Sequence, residues 1–378
     1  MAAGRPAGIL IVDDSVVIRS LLRSVVAGDA GLSVAGTAAD GASALRAIAS
    51  LRPDLVLLDV EMPVMDGLAT LRELRKRGHT MPVIMCSSLT RRGATVTIEA
   101  LASGASDYVA KPTGQSGREE AIRALAQDLL PRIHALTGHA SAHPVAGGLG
   151  LGLGAAAMRA PILLPMTRPK TPHIGVDPAV VAIGVSTGGP AALDVLLPAL
   201  PGDFPLPILV VQHMPEVFTR LFAERLDTRC QLRVREAAEG DPVRAGTITV
   251  AKGNWHMEVH AGSPATLHLT QGPLENHCRP AVDVLFRSAA QVYGGAVLAV
   301  VLTGMGSDGL IGCRMLRDHG ATVLAQDQAT STVWGMPGAV ANAGLAHRVL
   351  PLKDIAPEIL RMAGRTHSEA HALRESAG

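Results

Sequence analysis

Aromatic side chains are scarce: four Phe, two Trp and two Tyr in 378 residues. A hydrophobic core must therefore be assembled from Val, Leu, Ile and Ala, and a stacking platform for single-stranded nucleic acid is not expected. Charge of one sign is lacking as well, because 34 Lys and Arg stand against 33 Asp and Glu for a formal +1. That balance removes the electrostatic case for a nucleic-acid partner or an anionic-membrane partner. Cysteine is sparse, and Cys86, Cys230, Cys278 and Cys313 lie far apart with no C-x-x-C pair, which argues against a disulfide framework or a cysteine zinc site. Long apolar runs are missing too. The longest uncharged one, around Val145 to Met158, is interrupted by glycine and falls short of the ~20 residues of a membrane span. Residues 1–8 lack the charged, apolar and cleavage regions of a secretory signal, so a cytoplasmic protein without membrane insertion is expected.

What is present is a chain that folds. Hydrophobic residues make up 48% and charged residues 18%, too apolar a mixture to stay disordered, and the length suits two domains. Short apolar runs at 9–12, 32–37, 55–58, 83–86 and 108–110 alternate with helical patterns, and a further helix is predicted from about Glu119 to Leu136. Such a βα series predicts a five-stranded parallel sheet with helices on both faces. From His139 to Asp177 the composition shifts to Ala, Gly and Pro, as in a flexible tether. A second α/β series begins at Ala179, with strands predicted at 180–185, 208–212, 247–251, 257–260, 266–270, 296–302 and 322–325. The 257–270 pair reads as an antiparallel hairpin turning through Gly262-Ser263-Pro264. A doubly wound, mostly parallel sheet is expected here.

In the first half, Asp13 and Asp14 follow the first run, Asp59 the third, Ser87 the fourth and Lys111 the fifth. A parallel sheet gathers all of these at one edge. Three crowded carboxylates repel one another and favour a hard divalent cation such as Mg²⁺; with it, one carboxylate can attack a phosphoryl group. Lys111 adds positive charge for the phosphoryl oxygens, and Ser87 adds a hydroxyl. The plainer reading, strand-end Asp residues capping the next helices, does not account for five roles at successive strand ends. The stretches Val12 to Ser15, Leu58 to Gly67, Ser87-Ser88 and Asp107 to Pro112 resemble the response-regulator receiver family. That resemblance implies a flavodoxin-like fold, phosphorylation of Asp59 by a histidine kinase, Mg²⁺ at Asp13, Asp14 and Asp59, a switch formed by Ser87, Tyr108 and Lys111, and a cis Lys111–Pro112 bond.

In the second half, Gly184-Val185-Ser186-Thr187-Gly188-Gly189 follows an apolar strand and opens a helix at Pro190. The G-x-S-x-G spacing is that of a nucleophile elbow, although glycine-rich strand-to-helix turns also cradle phosphate. Two other strand ends deliver His213 and the run Thr303 to Gly309 with Asp308. Reactive groups collect at the carboxyl ends of strands in an open α/β sheet, so Ser186, His213 and Asp308 are candidates for nucleophile, base and orienter. Their chain order differs from that of the α/β hydrolases.

Ala182 to Pro190, Gln212 to Pro215 with Phe218-Thr219, Arg279 to Phe286, Thr303 to Gly309, and Gln326-Asp327 through Gly335 to Pro337 are similar to the chemotaxis protein-glutamate methylesterase family, whose members join a receiver to an esterase. The resemblance implies a receiver at 8–125, a helix and linker at 126–176, a catalytic domain at 177–365 and a tail at 366–378. It further implies catalysis by Ser186, His213 and Asp308, an oxyanion contact from the Met305 N–H, and Thr187 and Arg279 as substrate-side residues. The implied activity is phosphorylation-activated hydrolysis of glutamate γ-methyl esters, and of glutamine amides, on methyl-accepting chemotaxis receptors. No cofactor is expected in the esterase half, and a monomer is expected. The alternative is a phosphorylation-dependent signalling adaptor with the same receiver and no catalysis; a DNA-binding regulator is disfavoured for want of a basic recognition helix.

Overall fold

The computed structural model describes residues 5–112, 117–138 and 176–375, with side chains to residue 364. Apolar runs in the first half form β1 (Ala7–Val12), β2 (Leu32–Ala38), β3 (Leu55–Asp59), β4 (Val83–Ser87) and β5 (Asp107–Ala110). Between them run α1 (Val16–Ala27), α2 (Gly41–Leu51), α3 (Gly67–Lys76) and α4 (Arg91–Ala102), and α5 (Arg118–Thr137) follows. The sheet is parallel throughout, in the order β2-β1-β3-β4-β5. Strands β1, β3 and β4 are buried along their whole length because helices cover both faces, which is why they read as unbroken apolar runs. Leu125, Leu129 and Ile133 of α5 bury against this sheet's core. The first packing unit therefore continues past residue 125, through the end of that helix.

The second half contains β6 (Val180–Val185), α6 (Gly189–Leu196), β7 (Ile208–Gln212), α7 (Glu216–Asp227), β8 (Arg233–Glu236), β9 (Thr247–Val250), β10 (His256–His260), β11 (Thr266–Thr270), α8 (Val282–Tyr293), β12 (Val297–Val301), α9 (Leu310–Asp318), β13 (Thr322–Gln326), α10 (Met336–Asn342), β14 (Arg348–Leu350) and α11 (Leu352–Glu375). Seven strands pair in parallel in the order β14-β13-β12-β6-β7-β9-β8, and β10 and β11 form a separate antiparallel pair. All four phenylalanines of the chain, Phe204, Phe218, Phe222 and Phe286, are buried in this half. Strand β6 lies where the winding reverses, with β7 on one side and β12 on the other; in open α/β sheets the crevice forms at such a point.

Four elements differ from the sequence reading. Strands β8 and β14 were not anticipated: both are short edge strands carrying Arg, so neither shows a clean apolar run. Helix α10, seven residues from Met336-Pro337, was not anticipated either. Helix α11 carries its backbone through Glu375, across most of the stretch read as a tail. The cis proline bonds among the described residues are Ser263–Pro264 and Arg279–Pro280, and Lys111–Pro112 is not one of them. Trans is the lower-energy form of an X–Pro bond, and in this geometry Lys111 already reaches two carboxylates. The expected tether lies almost wholly outside the described residues. No helix among the described residues is long and apolar enough to cross a membrane.

The two sheets' helices meet directly. Helix α4 packs on α6 and α7, and one apolar cluster runs from Tyr108 and Ile98 of the first half to Phe218 and Phe222 of the second. The Tyr108 and Phe218 rings stack with centroids 4.7 Å apart. Nearby, the Thr187 hydroxyl donates to Asp107 Oδ2 at 2.7 Å, and Arg132 Nη1 donates to the same oxygen at 2.7 Å.

Candidate active site

Register places the second half's cluster. Val185 on β6 is paired with Gln212 on β7, and Val301 on β12 with Gly184 on β6. Ser186 and His213 therefore leave adjacent strands side by side, and the loop carrying Asp308 leaves the strand on the other side. Backbone bonds fix this edge: His213 N–H donates to Val185 O at 3.2 Å, and Ser186 N–H to Thr303 O at 3.0 Å.

Asp308 is the most densely bonded group here. Its Oδ2 lies 2.7 Å from His213 Nε2 and accepts from Val282 N–H at 2.6 Å. Its Oδ1 accepts from Asp283 N–H at 3.0 Å, Gly309 N–H at 2.9 Å and Asn276 Nδ2 at 2.9 Å. Two of these donors open helix α8, so the carboxylate also sits at a helix amino terminus, where negative charge is stabilised. Gly184 makes this approach possible, since a Cβ there would lie 2.8 Å from Val282 Cγ2. Burial disfavours the charged form of Asp308, but the bonds from His213 and the α8 amides outweigh it and hold its pKa below the usual carboxylate range. For His213, burial likewise opposes the charged form; the bonds to Asp308 and Cys278 outweigh it and push the pKa up to about 9.

The other imidazole nitrogen, Nδ1, faces Cys278 Sγ at 3.5 Å. Ser186 Oγ has no hydrogen-bond partner among the described residues, so the Asp–His arm is formed while the Ser–His arm is not. Hydrogen bonds at catalytic sites often tighten only with substrate present. Met305 sits on the turn after Gly304, which packs against Ser186. No acceptor among the described residues pairs with the Met305 N–H.

Two candidates are placed differently from the sequence expectation. Arg279 is committed to structure: its guanidinium donates to Asn254 Oδ1 and to the carbonyls of Gln271 and Gly272. The side chain of Thr187 bonds to Asp107 of the first half rather than within the cluster, and is 3% exposed. Several contributors were not singled out. Asn276 and Cys278 come from a tight turn in which Glu275 and Cys278 exchange backbone bonds while Asn276 and His277 take positive φ; an Asn between two chain segments was the available signal. Gln212 braces the carbonyls of Ser186 and His213. The Thr303 hydroxyl holds Thr187 O at 2.9 Å, with Gln326 Oε1 accepting from Thr303 N–H at 2.8 Å.

In the first half, Asp13, Asp14 and Asp59 present oxygens within 4.8 Å of one another, Asp13 and Asp59 buried and Asp14 exposed. Lys111 Nζ lies 2.8 Å from Asp13 Oδ2 and 2.6 Å from Asp59 Oδ1. Burial, with Asp13 adding its charge, pushes Asp59 up to about 6 against the pull of Lys111. The buried Ser87 lies on the neighbouring strand and donates to Ser88 O. Tyr108, by contrast, points into the contact between the halves, where burial raises its pKa. This donor set suits a hard divalent cation.

Two parallel sheets, one ending in a buried acid–lysine cluster and the other in a serine beside an aspartate-held imidazole, define the class of receiver-controlled α/β enzymes. The chain belongs to the CheB methylesterase family: residues 181–359 match CheB methylesterase, and residues 9–123 match the response regulator receiver domain. A protein-glutamate methylesterase/protein-glutamine glutaminase of Nocardioides sp. is 49% identical over 358 residues, covering 94% of this chain and 95% of the relative. A relative of the same name in Trichodesmium erythraeum is 45% identical over 364 residues, covering 94% and 99%. Among solved structures, the CheB methylesterase catalytic domain of Thermotoga maritima is 41% identical, with a TM-score of 0.48, over 50% of this chain and 100% of its own.

The close packing of Gly304 gives a test of the cluster. A Cβ there would stand 2.8 Å from Ser186 Cβ and would also meet Met336 Sδ. Gly304→Ala is expected to lower ester hydrolysis by more than about tenfold, the scale of a misplaced reacting group, while phosphorylation of the receiver is retained. Unchanged turnover would show that this turn does not set the position of Ser186.

Proposed function

We propose that this chain is a cytoplasmic, phosphorylation-activated protein-glutamate methylesterase that hydrolyses glutamate γ-methyl esters, and deamidates glutamines, on methyl-accepting chemotaxis receptors. The observation that carries this reading is the imidazole of His213, fixed by Asp308 at the strand end next to Ser186. With Nε2 committed to Asp308, Nδ1 of the neutral imidazole, the minor form near pH 7 for a group with a pKa of about 9, is the nitrogen left to take the Ser186 proton once the serine side chain rotates toward it. Ser186 Oγ then adds to the ester carbonyl, and the Met305 N–H receives the oxyanion. Collapse expels methanol, protonated by His213, and leaves a glutamyl ester on Ser186. Water, deprotonated by His213, opens that ester to glutamate and free serine. With a glutamine substrate the leaving group is ammonia.

A histidine kinase of the same signalling system is the proposed phosphoryl donor to Asp59. Asp13, Asp14 and Asp59 would hold Mg²⁺, which supplies neutralisation of phosphoryl charge when bound. Asp59 offers the attacking oxygen, Lys111 contacts the phosphoryl oxygens, and Ser87 turns its hydroxyl to the acyl phosphate. Tyr108 completes the switch from the interface side. No cofactor is assigned to the chemistry at Ser186, His213 and Asp308.

Control follows from the contact between the halves. The residue next to Ser186 is tied to the receiver through Thr187 and Asp107, and Tyr108 is stacked on Phe218. We read this as the closed state, with phosphorylation shifting the population toward an open one. Methanol release from methylated receptor membranes, with a small-molecule phosphoryl donor, tests the chemistry and the switch together. Wild type should respond to the donor, Asp59→Asn should stay at the basal rate, and Ser186→Ala should lose turnover while still binding receptor. An active Ser186→Ala enzyme would leave the adaptor reading standing.

The latch itself makes a separate prediction. A hydrogen bond to a charged group contributes about 1.5–3 kcal/mol, so Asp107→Ala should raise the basal rate of the unphosphorylated full-length protein about tenfold or more. A fragment beginning near residue 175 should be faster than the intact unphosphorylated chain. A basal rate unchanged in both comparisons would remove the receiver as an obstruction.

A further inference from the structure

The hairpin of β10 and β11 carries a cluster that the esterase and the receiver do not use. Side chains alternate along these strands, so Met257, Val259 and Leu267 bury toward the core while Glu258, His260 and His268 share the opposite face. Glu258 is paired directly across the ladder with His268, and His260 lies two residues further along the same face. One ligand atom from each of the three lies within 4.8 Å of the others. The imidazoles of His260 and His268 stack with centroids 4.7 Å apart, and His260 Nε2 is 3.5 Å from Glu258 Oε2.

A fourth residue supports the set from outside it. Glu239 follows β8 in the chain, and its Oε1 lies 3.0 Å from His268 Nδ1 while its Oε2 accepts from Leu269 N–H at 2.7 Å. A carboxylate on the second nitrogen of a histidine fixes the tautomer and ring orientation, the usual outer partner of a metal-bound imidazole. With Nδ1 engaged by Glu239, Nε2 is the His268 nitrogen left to bind an ion.

We propose that Glu258, His260 and His268 form a binding site for a borderline divalent transition metal ion, Zn²⁺ or a close analogue, with Glu239 as its orienting carboxylate. Two imidazoles and one carboxylate select this class over Mg²⁺ or Ca²⁺, which take all-oxygen shells. Three protein ligands leave a fourth position for water. The bound ion would tie both strands of the hairpin together and, through Glu239, to the segment after β8. The ligands are brought together by hairpin register, so no paired-cysteine motif marks the site in the sequence.

Calorimetric titration of the full-length protein with ZnCl₂ tests this, with saturating Mg²⁺ present to occupy the receiver's carboxylates. One Zn²⁺ per chain should bind, and thermal unfolding of the esterase half should shift upward with it. The His260→Ala/His268→Ala double variant, altered only on the hairpin's outer face, should lose that binding. Glu239→Gln should weaken it about tenfold or more. Titration with Co²⁺ should give a visible ligand-field spectrum in wild type that is absent from the double variant. Equal Zn²⁺ binding by wild type and the double variant would overturn the proposal. So would binding that survives in the double variant but is lost in Cys278→Ala, which would put the ion beside His213.

Discussion

The carboxylate of Asp308 is the group on which the esterase half's geometry depends. Five donors converge on it, from the loop after β12, the start of α8, the turn at Asn276 and the imidazole at the end of β7. Such a group is costly to bury unless it is paired and fully hydrogen-bonded, and here the bonds that meet that cost also fix four segments relative to one another. The buried Asp283 alongside shows the opposite balance. Burial and the charge of Asp308 raise its pKa, although Gly312 N–H and Asn276 donate to it. The positions of Ser186 and Met305 follow from the same framework, because the Thr303-Gly304 backbone that packs on Ser186 leads into the Asp308 turn.

Strand direction explains how two separate chemistries occur in one chain. In each sheet every strand of the main ladder is parallel, so residues that follow the strands arrive at one edge. The acid–lysine cluster in the first sheet and the Ser–His–Asp cluster in the second are two uses of that constraint. Side chains on the helix-covered flank join them: Asp107 heads the receiver's last strand and bonds to Thr187, and Arg132 of α5 braces the same oxygen. The acid–lysine edge and the residue beside Ser186 are thus linked in space through β5, from Lys111 past Tyr108 to Asp107 and on to Thr187.

This constraint also sets how much the sequence revealed. Asp13, Asp59, Ser87, Lys111, Ser186 and His213 were legible as candidates because each sits at or just past the end of an apolar run, and the run itself gives the address; Asp308 was marked instead by the glycine-rich loop that follows β12. Strands β8 and β14 were not legible, being edge strands with arginine in place of a continuous apolar pattern. Partners fixed by packing between distant elements were out of reach for the same reason: Thr187 with Asp107, Tyr108 with Phe218, and Cys278 with His213 each depend on how helices and turns dock. Arg279 shows a different limit of the sequence. A motif marked it as substrate-facing, while local geometry uses it to brace Asn254 and the 271–272 carbonyls.

The role given to Asp308 is tested most directly by a nuclear magnetic resonance titration of the His213 ring nitrogens, in wild type and in Asp308→Asn. A neighbour that stabilises the imidazolium raises its pKa. The interaction is then fully present below the ordinary histidine range, near 6.5, and is lost as pH rises through the folded value. The account predicts a wild-type midpoint near 9, falling toward the ordinary histidine value in the variant while the backbone amide spectrum stays native. The same midpoint in both proteins would contradict it.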